Sequence, residues 1–233
     1  METFIGIGNP LFQAKAKIEE KEISFNQIFS KGRLADTTLI SQFTQLPETE
    51  KELTMIAENF SKDNVQLYFQ NEATESMIKN LDFKNTDVIA FSTHAIINGE
   101  MDVNEPGLIL TPPSKASVED DGILTSSEIL GLDLDADFVI LSACNTASSE
   151  DYNSEPLSGL ARAFFFAGAK SLLVSNWAVE SESTVKLTTT MFNNIELGQN
   201  KSESLQKSMI NLLSTNNYNH PLFWAPFMLV GDR

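Results

Sequence analysis

Val88-Ile89-Ala90-Phe91-Ser92-Thr93-His94 is a four-residue apolar run that breaks into small polar residues and ends on an imidazole. Phe138-Val139-Ile140-Leu141-Ser142-Ala143-Cys144 repeats the plan and ends on a thiol. Continuous apolar runs of this length read as strands covered on both faces, the pattern of a parallel sheet. Working outward, Phe4-Ile5-Gly6-Ile7, Val65-Gln66-Leu67-Tyr68-Phe69, Leu172-Leu173-Val174 and Phe227-Met228-Leu229-Val230 supply four more strands. Helical patterns fall between them. Pro47-Glu48-Thr49-Glu50 opens a helix to about Phe60, and Asn71-Glu72-Ala73-Thr74-Glu75 opens another with Ala73, Met77, Ile78 and Leu81 on one face. Thr125-Ser126-Ser127-Glu128 has the spacing of a capping box, and that short helix ends at Gly131. Pro156 and Gly168 bracket a helix over Leu157 to Ala167 with proline first and glycine last. Helices from Glu182 to about Leu197 and from Ser202 to Leu213 complete the set. Strand and helix alternate, so the expected fold class is α/β, three layers, with a mostly parallel sheet and helices on both faces.

The 233 residues carry 16 Lys+Arg against 32 Asp+Glu, a net charge of −16. That length suits one large domain, and residues 1–233 are read as a single domain without an interdomain linker. Residues 12–46 are the least readable part, an arm, a helix pair or an extended loop. Residues 112–122 read as an exposed loop. The acidic balance argues against nucleic-acid binding, which needs Lys and Arg on phosphates. No apolar run approaches the roughly 20 residues that span a bilayer, so no membrane is expected. Met1-Glu2-Thr3-Phe4 lacks the basic start of a signal peptide. A single cysteine can make neither an internal disulfide nor a thiolate metal cage. The expectation is a reducing, cytoplasmic setting with no metal and no cofactor.

In an open parallel sheet, ligands bind at the carboxyl ends of the strands. If the two opening strands are parallel neighbours, His94 and Cys144 emerge at one edge as a base and a nucleophile. A lone cysteine is more often a small buried hydrophobe, and a lone histidine more often caps a strand. Their joint placement at two strand ends, 50 residues apart (144 − 94), is what points to catalysis.

The residues around this pair resemble the CHAT domains, caspase-like cysteine peptidase domains usually found behind tetratricopeptide repeats. Phe91-Ser92-Thr93-His94-Ala95 is similar to the family's "ATH" strand, and Leu141-Ser142-Ala143-Cys144-Asn145-Thr146 to its "LSACNT". Gly122 to Ile129 resembles "GLLTASEI", Ser175-Asn176-Trp177-Ala178-Val179 resembles "SxWxV", and Trp224-Ala225-Pro226-Phe227 to Gly231 resembles "WAPFxLxG". The similarity covers about residues 60–233, and Phe4 to Pro10 fits the opening strand. It implies the caspase–haemoglobinase fold and peptide hydrolysis by a Cys–His dyad, with Cys144 as nucleophile and His94 as acid/base. It further implies an oxyanion hole from the backbone N–H groups of Cys144 and Ala95. Caspases proper carry Gly where this chain has Ala95, and a site demanding positive φ would disfavour alanine.

The resemblance implies a protein or peptide substrate and a repeat domain in the same longer chain. Ser142 occupies the position where the clostripain branch places an acid that grips a basic side chain, so it counts as a neutral substrate-binding residue. Asn176 and Trp177 are expected to wall the cleft together with the segment to Glu180 and the loop at Asn145–Glu155. Asp133-Leu134-Asp135-Ala136-Asp137 begins like a calcium loop but lacks the later Gly and Glu. His220 reads as structural. Loops at Asn98–Pro106 and Asn145–Glu155 suggest a latent enzyme gated by a partner. The rival reading is a catalytically silent CHAT-fold interaction module.

Overall fold

The structure is a computed structural model that describes residues 1–12, 34–96, 105–142, 159–177 and 179–232. Its frame is a six-stranded sheet of β1 (Phe4–Pro10), β2 (Val65–Gln70), β3 (Val88–Ser92), β7 (Phe138–Leu141), β8 (Ser171–Ser175) and β9 (Phe227–Gly231). The spatial order is β2-β1-β3-β7-β8-β9. All pairs are parallel except β8 with β9, which closes one edge antiparallel.

The near-continuous apolar strands divide their side chains by parity, because successive residues of a strand face opposite sides of the sheet. Ile5, Ile7, Ile89, Phe91, Val139, Leu141, Leu172 and Val174 enter one core cluster. There they meet α3 (Glu75–Lys79), α4 (Ser126–Ile129) and α5 (Gly159–Phe166). Phe4, Val88, Ala90, Phe138, Ile140 and Leu173 enter the other cluster. Its helices are α2 (Pro47–Ala57), α6 (Ser181–Glu196) and α7 (Lys201–Leu213). Phe4, Phe91, Phe138 and Phe164 are each at most 1% exposed. A side chain of this size contributes about 1.5–3 kcal/mol when fully buried. The three-layer α/β expectation therefore holds, with helices packed on both faces.

The helix read from Asn71 is shorter than its pattern. Thr74 accepts from the Met77 N–H at 3.2 Å, so its hydroxyl caps a helix that starts at Glu75. The capping box forms at α4, with Glu128 accepting the Thr125 N–H at 2.9 Å. Gly168 closes α5 at φ +117°, and a Cβ there would lie 2.0 Å from the Leu134 carbonyl oxygen. Residues 157 and 158, part of the helix expected from Leu157, lie outside the described residues.

A second, three-stranded antiparallel sheet was not foreseen. It comprises β4 (Ala95–Ile96), β5 (Gly107–Ile109) and β6 (Ile123–Thr125). Strands of two or three residues are too short to show a period. They cover a small core of Phe12, Ala35, Ile40, Ile96, Ile109 and Ile123, capped by α1 (Thr37–Ile40). Glu75, 1% exposed, anchors the lead-in to β6 by accepting the N–H groups of Asp121 at 2.7 Å and Gly122 at 3.0 Å. Lys79 bonds to this carboxylate and reaches Glu128 at 2.6 Å. Of residues 12–46, 13–33 lie outside the described residues. No helix among the described residues is long and apolar enough to cross a membrane.

Candidate active site

Strands β3 and β7 are neighbours in register, Phe91 opposite Leu141, and the Ser142 N–H donates to the Phe91 carbonyl at 2.9 Å. By parity, Ser92 follows Val88 and Ala90, and Ser142 follows Phe138 and Ile140. Both hydroxyls therefore belong to the face covered by α2 and α6. There they meet Glu52 of α2. Its Oε2 accepts from Ser92 Oγ at 3.0 Å and from Ser142 Oγ at 3.1 Å. Its Oε1 accepts from Thr188 Oγ1 of α6 at 3.0 Å. Glu52 is 2% exposed. Burial pushes its carboxyl up to about 7; the three hydroxyls pull it down, and Glu48 pushes it further up.

His94 stands two residues past Ser92. Its Nε2 lies 2.8 Å from the Thr44 carbonyl oxygen. A carbonyl can only accept, so Nε2 carries the proton and Nδ1 keeps its lone pair. The ring sits against Phe43 and Phe12, with centroids 5.2 and 5.7 Å away. Burial lowers the imidazole pKa, against the opposing pull of the Thr44 carbonyl and of Glu48. The ring is therefore neutral at pH 7. The Thr44 carbonyl is itself held by its neighbour. Gln45 Nε2 donates to Asn9 Oδ1 at 2.6 Å and to the Pro10 carbonyl, while its Oε1 accepts the Phe12 N–H at 2.9 Å.

A cavity of about 140 Å³ opens beside His94. Glu52, Thr49 and Thr93 line its buried part, and Ser142, Glu48, Val179 and Ser181 its partly exposed rim. Ser181 Oγ donates to Glu48 at 2.7 Å. The structure thus brings His94 and Ser142 to one cavity. Ala95 begins β4 opposite Leu108 in extended backbone, so no positive φ is asked of it. Asn176 and Trp177 do not line this cavity. Asn176 Nδ2 donates to the Pro226 carbonyl at 3.1 Å and Trp177 Nε1 to the Leu222 carbonyl at 3.2 Å. From the segment expected to wall the cleft, Val179 reaches the cavity. Cys144, with its backbone N–H, and the loop Asn145–Glu155 lie outside the described residues. So do residues 97–104 of the loop read as Asn98–Pro106. Among the described residues no group of three His, Cys, Asp or Glu side chains is placed to hold a metal ion.

Glu52 and the Thr44 carbonyl were not singled out in the sequence. Glu52 had a readable signal, since Thr49, Glu52, Leu53 and Ile56 form the buried stripe of α2 and an acid there breaks the amphipathic pattern. A backbone carbonyl carries no such signal.

A family model described as "CHAT domain" matches residues 3–232. The chain belongs to the CHAT domain family. Tetratricopeptide repeat protein 28 of Homo sapiens is 30% identical to this CHAT chain over 110 residues, 47% of the chain. The Mus musculus protein of the same name is 31% identical over 110 residues. The chain spans 4% of the length of these curated relatives. Two solved structures share the fold. The Saccharomyces cerevisiae separase–securin complex superposes with a TM-score of 0.54 at 16% identity, covering 99% of this chain and 12% of that one. The complex of Porphyromonas gingivalis RgpB pro- and mature domains gives 0.55 at 9% identity, covering 99% and 47%. At these identities the likeness is one of fold, and the CHAT chain has the caspase-like α/β architecture.

Proposed function

We propose that this CHAT domain is a cysteine endopeptidase that hydrolyses peptide bonds of protein partners through Cys144 and His94. The observation that carries the reading is the His94 ring, neutral and pinned through Nε2 to the Thr44 carbonyl. That leaves Nδ1 free as a base beside the end of β7. Phe91 and Leu141 are register partners, and His94 and Cys144 each follow three residues later in sequence.

The Cys144 thiol gives its proton to His94 Nδ1, and the thiolate adds to the scissile carbonyl carbon. The carbonyl oxygen becomes an oxyanion, held in this proposal by the N–H groups of Ala95 and Cys144; losing one such donor costs about 2.7–4 kcal/mol. Collapse breaks the C–N bond, and the amine leaves with the proton from His94. A water then gives its proton to His94 and its oxygen to the thioester carbon. The acid departs and the thiol is restored.

The relatives named tetratricopeptide repeat protein 28 support a repeat domain in the same longer protein. Such a domain gates a latent site only if it binds the competent arrangement better than the other. One cysteine in 233 residues suits a cytoplasmic setting. The test is a proteome-wide comparison of newly formed protein termini produced by the natural full-length protein and by its Cys144→Ala variant. Termini that depend on Cys144 support the peptidase. Identical profiles make the chain an interaction module.

A further inference from the structure

The cavity beside His94 ends on a carboxylate that no cation meets among the described residues. Glu52 is 2% exposed, and among the described residues its partners are three hydroxyls. A carboxylate offers about four acceptor positions. Two are filled on Oε2 by Ser92 and Ser142, and one on Oε1 by Thr188. Among the described residues, one position on Oε1 stays open. It can be filled in two ways. In the first, Glu52 keeps its own proton and donates it to Thr188 Oγ1, whose hydroxyl turns to the Thr184 carbonyl, also 3.0 Å away. In the second, Thr188 donates to Glu52 and a guest supplies the fourth donor.

The surroundings favour a cationic guest. Glu48 stands at the rim, and the walls are Thr, Ser, Leu and Val side chains with His94 as the one basic group among the described lining residues. Burying an ionised carboxylate without an opposite charge is costly, so a cation arriving with its own charge relieves that cost. Two features choose among cations. A single open position on one oxygen suits a point donor, whereas a guanidinium fork seeks two parallel acceptors. The volume of about 140 Å³ is close to the roughly 150 Å³ that accommodates benzene. The four-carbon stem and ammonium of lysine fit that room.

The geometry points to this cavity as the pocket for the residue preceding the scissile bond, with lysine as its preferred occupant and Glu52 as the residue that selects it. The inference rests on the peptidase reading, since His94 in the wall and Ser142 two residues before Cys144 make the cavity adjacent to the reacting centre. Glu52 takes the part that a neutral Ser142 cannot play, and it acts from a helix rather than from the nucleophile's own strand.

Two measurements on the full-length protein separate the two readings. The first compares kcat/KM for quenched peptides that differ only in carrying Lys, Arg, norleucine or Glu before the cleaved bond. Lysine is expected to exceed norleucine by at least about 100-fold and arginine by about tenfold, with the lysine-to-norleucine ratio falling below about tenfold in Glu52→Gln. The second follows binding of n-butylammonium to the Cys144→Ala protein by amide chemical shifts of Ser92 and Ser142, with and without Glu52→Gln. Saturable shifts that vanish in Glu52→Gln support the pocket even if no peptide is cut, in which case the peptidase reading alone fails. Cleavage with no preference for lysine, or with a preference that Glu52→Gln leaves intact, overturns the pocket and spares the peptidase. Neither cleavage nor binding overturns both.

Discussion

Glu52 Oε2 and Ser142 Oγ meet at 3.1 Å across 90 residues of chain. Because the same oxygen also accepts from Ser92, one carboxylate ties α2 to the carboxyl ends of both central strands. The carboxylate at the centre of the tie is 2% exposed, so the strength of the tie depends on the charge that Glu52 carries.

Glu52 titrates near 7 in the fold, above its ordinary 4.5. An acid whose folded pKa is raised binds its proton more tightly in the native state. Its contribution is fully present below about 4.5 and is lost as pH rises through about 7. The stability of the natural chain relative to Glu52→Gln is therefore expected to fall over that window, by up to about 3 kcal/mol. Urea unfolding of both proteins at intervals from pH 4 to pH 8 measures it. Stability curves that run parallel would contradict the assignment.

The His94 tautomer follows from the Thr44 carbonyl, and that carbonyl from the Gln45 clamp. Long-range nitrogen–proton NMR is expected to show His94 protonated at Nε2 at pH 7.5. In Gln45→Ala a mixture of the two tautomers should appear. A single unchanged tautomer in the variant would show that Thr44 is held by other means.

Burial lowers the His94 pKa below its usual 6.5. If His94 is the general base, the acid limb of kcat/KM should be centred below pH 6.5. The pH–rate profile on a norleucine peptide, whose binding does not call on an ionised Glu52, reads this directly. An acid limb centred at or above 6.5 would count against His94 as the titrating group.

Gly168→Ala places a Cβ 2.0 Å from the Leu134 carbonyl oxygen on a backbone at φ +117°. Such strain alone costs about 1–3 kcal/mol, and the clash adds to it. The melting temperature should drop by at least about 4 °C, while Gly198→Ala, at φ +87° with open space around it, should lose less. Equal losses would mean that strain, not the carbonyl contact, governs both.

The sheet was legible because its strands are buried on both faces. Val88 to Phe91 and Phe138 to Leu141 have no polar alternative to offer solvent. His94 was legible because a titratable group followed such a run. The small sheet was not, since Ala95–Ile96 and Gly107–Ile109 are too short to show a period. Glu52 was passed over because an acid in a Pro-Glu-Thr-Glu-Lys-Glu stretch resembles its solvent-facing neighbours. Its partner Thr188 lies 136 residues away, and that contact no local pattern reports. Asn176 and Trp177 were read from a motif that names positions, while their hydrogen bonds run to the lead-in of β9.

That distance between Glu52 and Thr188 has a consequence for biosynthesis. A chain growing at about 5–20 residues per second takes roughly 7–27 s to pass from one to the other. During that interval α2, β3 and β7 emerge from the ribosome before the helix that completes the hydroxyl cage exists. A nascent polypeptide carries His94, and then Cys144, before the cavity beside His94 is finished. Translation order thus separates the making of His94 and Cys144 from the assembly of the hydroxyl cage around Glu52.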